Sequence, residues 1–218
     1  MTGNSGSAAP VFDQPGDTDT VTGIYRSAGD TDNGTHINSQ AVETVTSVRS
    51  YSPAGDSYIR VRGTSTLHDW EMLSDNVKGE IHLIIGGNGI PGDVEDLVFS
   101  LEKTTLRSNQ SGLDRRAYDA LDAGRHPEIT FRMNGPGMVR DNGEGYIISA
   151  RGDLTVAGET KRINVEAICV NGNDSRLICT GSRTLRMSDF SIDPPVMMLG
   201  ALRTGDEVTV DYRIELSQ

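Results

Sequence analysis

The residues that could do chemistry are few. His68 and Asp69, in LHDWEM, place a base beside a carboxylate. In a strand, adjacent side chains point to opposite faces, so these two cannot form a proton relay with each other. A structural or rim role is left for His68. Trp70, the single tryptophan, either packs in a core or serves as a platform for a ligand. His126, in GRHPEITF, reads as a hydrogen-bonding residue at a junction between helix and strand. His68, His82 and His126 lack metal-ligand spacing, so neither a metal site nor another cofactor is expected. GGNGIPGD (86 to 93) is glycine-rich, but no helix follows to complete a phosphate cradle, and it reads as a turn. There is no G-x-S-x-G elbow and no nucleophile beside a base, which argues against an enzyme. Cys169 and Cys179 flank the turn-like NGNDS. They either pair across strands or sit as two small buried hydrophobes.

What remains is patterned apolar surface, and it lies on strands. ARGDLTVAGETKRINVEA (150 to 167) reads as two alternating runs about a glycine. With Gly158 and Glu159 as the central residues of a tight turn, Val156 faces Lys161, Leu154 faces Ile163, and Arg151 faces Glu166. This register gathers nearly all the apolar side chains on one face. That face includes Ala150, Gly152 and Ala167, small residues that leave room for large side chains from elsewhere or for a ligand. Further alternating runs occupy 57 to 63, 77 to 85, 96 to 103, 128 to 134, 176 to 186 and 207 to 216. With 145 to 156 and 160 to 170, eight half-buried strands are expected. One segment has helical spacing instead: Leu113, Ala117 and Leu121 predict a short helix over about 112 to 122. Ser111 would be its N-cap, Gly124 its stop and Pro127 a barrier beyond.

Eight antiparallel strands with one helix give an all-β fold, a closed barrel or a sandwich. The aromatic content is only 5% and several inward residues are Gly or Ala, which favours a barrel with a cavity over a solid core. Candidate lining residues are Val61, Leu83, Phe99, Phe131, Ile148, Gly152, Val165 and Tyr212. The long connection DFSIDPPVMMLGALRTGDE (189 to 207) brings Met197 and Met198 together, as a lid or rim over a barrel mouth or as a local plug.

Composition closes off other classes. The formal net charge is -11, which argues against nucleic-acid binding and against adhesion to anionic membranes. No run of 18 apolar residues is present, so no membrane-spanning helix is expected. The first residues, MTGNSGSAAP, lack a basic start and an apolar core. That fits a cytoplasmic protein or a mature chain without its signal. Residues 1 to 42 carry five Asp and one Arg and few apolar side chains. They read as an acidic, disordered tail or linker, and 43 to 218 as the folded domain.

The ordered set VKGEI (77 to 81), LDAGRHPEITF (121 to 131), GDLTVAGETKRINV (152 to 165), SDFSIDPP (188 to 195) and TGDEVTVDYRIEL (204 to 216) resembles the YceI-like family of polyisoprenoid-binding or lipid-binding barrels. GTSTLHDW (63 to 70) looks like the opening of one branch of that family. The resemblance implies a lipocalin-like eight-stranded antiparallel barrel with a helix near one end. It also implies an apolar cavity for an isoprenoid chain and a periplasmic or secreted location. Burying about ten methylene equivalents at about 0.8 kcal/mol each would contribute about 8 kcal/mol, an affinity on the order of micromolar before ordering costs. The expected function is therefore non-enzymatic binding, transport or sequestration of an isoprenoid-type or other long apolar lipid. The alternative is a structural or protein-interaction module whose barrel is filled by its own side chains.

Overall fold

The computed structural model describes residues 45–87, 89–173, 176–197 and 202–218. The expected tail, 1 to 42, lies outside the described residues. The rest forms ten strands and one α-helix: β1 (Val45–Ser65), β2 (Trp70–Ser74), β3 (Val77–Gly86), β4 (Pro91–Glu102), α1 (Ser111–Ala120), β5 (Glu128–Asp141), β6 (Tyr146–Val156), β7 (Glu159–Asn171), β8 (Leu177–Arg186), β9 (Val196–Met197) and β10 (Leu202–Ser217). Pairing runs β1-β3-β4-β5-β6-β7-β8-β10 and returns to β1, all antiparallel, so the eight strands close into a barrel. Closure leaves these strands without a full-length free edge. β2 lies beside the second half of β1, in line with β3, and β9 pairs with the start of β10.

The alternating runs decide which side chains enter. Ile59 and Val61, Ile81 and Leu83, Leu97 and Phe99, Ile129 and Phe131, and Ile214 and Leu216 all join the apolar interior. At one end this interior is solid: Tyr51, Leu83, Ile85, Val94 and Leu177 are buried together. The other end carries α1, the β1–β2 turn and the segment from Met187 to Met197.

The β6–β7 ribbon differs in detail from its sequence reading. Its turn is Ala157-Gly158, with φ of 51° and 87°, the left-handed pair of a two-residue hairpin. Val156 therefore faces Glu159, Leu154 faces Lys161, and Gly152 faces Ile163. Each partner has moved by two residues, so both faces keep their membership. The expected Arg151–Glu166 pair does not form: Arg151 faces Asn164, while Ser149 Oγ donates to Glu166 at 3.1 Å. Arg162 instead bridges Asp153 at 3.0 Å. β1 is far longer than expected, because Pro53-Ala54-Gly55 interrupts the alternation at an irregularity in the β1–β10 register without ending the strand.

α1 also starts and ends differently. Gln110, not Ser111, holds the extended N-cap conformation. Asp122, with φ 53°, takes the left-handed position that ends the helix, not Gly124. The Ala123 amide reaches Tyr118 and the Asp122 amide reaches Asp119, the paired bonds of a Schellman end.

Cys169 and Cys179 face each other across β7 and β8 and form a disulfide, with Cα atoms 4.0 Å apart. Their bond staples the weakest seam of the barrel. β7 and β8 pair over only Ile168–Asn171 and Leu177–Thr180. By contrast, β6 and β7 pair along the whole ribbon from Tyr146 to Val156.

Candidate functional site: an apolar cavity and its walls

A cavity of about 560 Å³ lies inside the barrel toward the helix-bearing end. That is within the roughly 300–1,000 Å³ of small-molecule sites. Of the candidate lining residues, Val61, Phe99, Phe131, Ile148, Val165 and Tyr212 are in its wall, and so is Trp70. Leu83 is not: with 0% exposure it belongs to the solid end below. Gly152 is not in the lining either, because its space is taken. A Cβ there would lie 2.4 Å from the Arg132 carbonyl oxygen and 2.5 Å from the Phe131 ring. Met197 pairs through its backbone with Leu202, and Met198 lies outside the described residues.

Inward glycines do not open the cavity. Four of them are each covered by an aromatic ring: Gly63 by Trp70, Gly79 by Phe99, Gly152 by Phe131 and Gly181 by Tyr212. In every case a Cβ would fall 2.3–2.8 Å from a ring atom. Glycine lets a ring lie over the wall rather than stand out across the lumen, so the rings become lining. At Gly79, φ of 137° adds a backbone demand for glycine.

The polar ends of the two amphipathic rings are tied back. Tyr212 Oη donates to the Glu166 carbonyl at 2.7 Å, and burial pushes its phenol pKa up. Trp70 Nε1 donates to the Thr64 carbonyl at 3.1 Å. Ala150, Leu154, Val156, Ile163 and Ala167 complete the β6 and β7 side of the wall. The lining is thus overwhelmingly apolar, with no polar group of these two rings left over in the lumen.

The open end is built from three pieces. The β1–β2 turn is held by Ser65 Oγ, which donates to the His68 carbonyl at 2.6 Å and accepts from its amide. His68 and Asp69 sit in this turn rather than in a strand, so alternation does not separate them. The His68 ring is nonetheless 2.8 Å from the Asp69 backbone carbonyl oxygen, and His68 lines the mouth. Leu67 beside it is 70% exposed. The second piece is α1, which contributes Leu113, Ala117 and Ala120. The third is the turn after β8, whose Phe190 and Ile192 are buried and reach the cavity, so this part of the long connection acts as a plug. Asp206 anchors it by accepting from the Ser188 amide and hydroxyl, and those bonds hold the Asp206 carboxyl below its usual range.

One buried cation was not picked out from the sequence. Lys103 is fully buried after β4, and its Nζ donates to the carbonyls of Leu121 at 2.8 Å and His126 at 2.5 Å. Burial lowers its pKa. It fastens the end of α1 to the barrel, and the run LEKTTL carries no signal of that beyond a lone lysine. His126 sits between α1 and β5, where its backbone carbonyl accepts from Lys103, its amide donates to the Asp122 carbonyl, and its ring lies over Gly158. Among the described residues, no three potential metal ligands come together.

Comparison with known proteins agrees with this architecture. The model of the YceI-like domain matches residues 37–216. The chain belongs to the YceI-like family. A UPF0312 protein of Vibrio parahaemolyticus is 38% identical over 104 residues, covering 44% of this chain and 52% of that protein. A UPF0312 protein of Vibrio campbellii matches to the same extent. The chain thus spans about half the length of these curated relatives. Among solved structures, Burkholderia cenocepacia BcnA superposes with a TM-score of 0.57 at 12% identity, over 74% of this chain and 96% of that one. A polyisoprenoid-binding domain from Saccharophagus degradans gives 0.56 at 11% identity, over 77% and 97%. At such identities the likeness is one of fold. This YceI-like chain shares the barrel, and its cavity is read from its own residues.

Proposed function

We propose that this YceI-like protein is a non-enzymatic carrier or sequestering protein that takes an isoprenoid-type lipid, or another long apolar chain, into its barrel. The observation that carries the reading is the cavity of about 560 Å³ walled by Val61, Phe99, Phe131, Ile148 and Val165. An eight-stranded barrel is wide enough for one slender ligand only if its rings stay at the wall, as they do here. The fold shared with a polyisoprenoid-binding domain supports this ligand class. The Cys169–Cys179 disulfide supports work in an oxidising compartment, periplasmic or extracellular.

Uptake of an environment-sensitive apolar dye tests the hollow barrel against one filled by its own side chains. A hollow barrel binds the dye with a blue-shifted emission, and added geranylgeraniol displaces it. Dye that stays in water even at high protein concentration would support the interaction-module alternative. Turnover of generic ester substrates would contradict the non-enzymatic reading.

A further inference from the structure

The barrel wall has a gap between β7 and β8. Their ladder stops at Ile168 and Thr180, so Glu159–Ala167 and Gly181–Arg186 run on without pairing to each other. A cleft of about 430 Å³ occupies this stretch. Ile163, Arg183, Leu185, Arg186 and Phe190 line both the cleft and the central cavity. Only side chains, not paired backbone, separate the lumen from the surface here.

The cleft is also cationic, in a protein whose formal net charge is -11. Lys161, Arg162, Arg183 and Arg186 line it, against Asp189 and Glu207. Two of the four cations are already matched: Arg162 to Asp153 at 3.0 Å and Arg186 to Glu207 at 3.6 Å. Lys161 and Arg183 have no ion-pair partner among the described residues. Both stand at inward positions of their strands, since Lys161 faces Leu154 and Arg183 faces Val210, and those two line the lumen. Both side chains are nonetheless exposed, one on each side of a stretch where β7 and β8 do not pair, so two cations without an ion-pair partner are open to an anion at the lip of an apolar lumen.

The geometry points to a head-group site in this cleft: the protein takes an anionic amphiphile, its chain in the lumen and its phosphate or carboxylate between Lys161 and Arg183. This rests on the lipid-binding reading and adds the polarity and the side of entry of the ligand. Tyr212 fits the arrangement. Its ring lies over Gly181 and its hydroxyl closes on the Glu166 carbonyl, which occupies one edge group of the seam without bridging the two strands by backbone.

Farnesyl phosphate and farnesol share a chain and differ in the head, and Trp70 in the cavity wall reports binding by fluorescence. Two partly solvated charge contacts should favour the phosphate about tenfold at low salt, with the preference shrinking as salt rises. In a Lys161→Gln/Arg183→Gln variant the ratio of the two affinities should fall toward one. Inorganic phosphate alone should not displace farnesol. Equal affinities in the unaltered protein overturn the head-group site and leave the cavity reading standing. A preference that survives in the double variant overturns the assignment to this cleft. Binding of neither compound overturns the cavity reading together with the site. Because the first comparison uses the unaltered protein, a variant that fails to fold does not blunt the test.

Discussion

Lys103 and Gly152 show what single residues contribute. Lys103 is buried and donates to the carbonyls of Leu121 and His126, tying the end of α1 to the barrel. Lys103→Met should destabilise the protein by about 1–3 kcal/mol in urea unfolding, the loss of two hydrogen bonds from a charged donor. A change within error would mean that the carbonyls find other partners. Gly152→Ala should also destabilise, by about 1–3 kcal/mol, because its Cβ would press on backbone as well as on the Phe131 ring. Gly152 is consequently a poor place to block the lumen. Val165, in the wall with space before it, is a better one. Which residues face inward was legible from alternation, and six of the eight candidate lining residues fall in the cavity wall. What alternation could not show is depth along the barrel, which puts Leu83 in the solid end. Nor could it show that a glycine's space is filled from the neighbouring strand, because that contact depends on register. The same parity did carry an unread signal: Cys179, Gly181, Arg183 and Leu185 share a face, and a cation in that row marks something other than core.

At the scale of elements, the β7–β8 seam is the weak joint, and the disulfide is its staple. Closing a loop of about ten residues limits the unfolded chain, so replacing Cys169 and Cys179 with Ala should cost about 3 kcal/mol. Thermal unfolding with and without reductant measures it, and equal midpoints would contradict the stapling role. The eight barrel strands were legible because each carries a run of alternating positions; the two-residue β9 was not. Nor were the ends of the strands. β1 runs through a Pro-Ala-Gly irregularity that reads locally as a break. β2 is five residues held by its partner more than by its own pattern. The hairpin turn was misplaced by one residue because Ala157 takes a left-handed conformation usually left to Gly or Asn. Tertiary pairing overrode that local preference.

The whole molecule is acidic, and several of its carboxylates are engaged. Asp211 is held low first by its hydrogen bond from Arg62 at 2.6 Å and further by Ser182. Asp153 is held low by Asn134 and then Arg162, Asp206 by Ser188, and Glu215 by Arg213. Each binds protons less readily folded than unfolded. Their stabilisation is complete above the unfolded-state carboxylate pKa values of about 4, and it is lost as pH falls through the lower folded-state values. Acid titration of the melting temperature should show a fall in that window, and Asp211→Asn should flatten it. A flat profile from neutral to strongly acidic pH would contradict the linkage.

The most direct test of the central claim is native mass spectrometry of the protein with added farnesol, alongside Val165→Trp. A lipid-accepting cavity gives a one-to-one adduct on the unaltered protein and little or none on the folded variant. No adduct on either, from a folded protein at ligand concentrations well above micromolar, would contradict a lipid-accepting cavity.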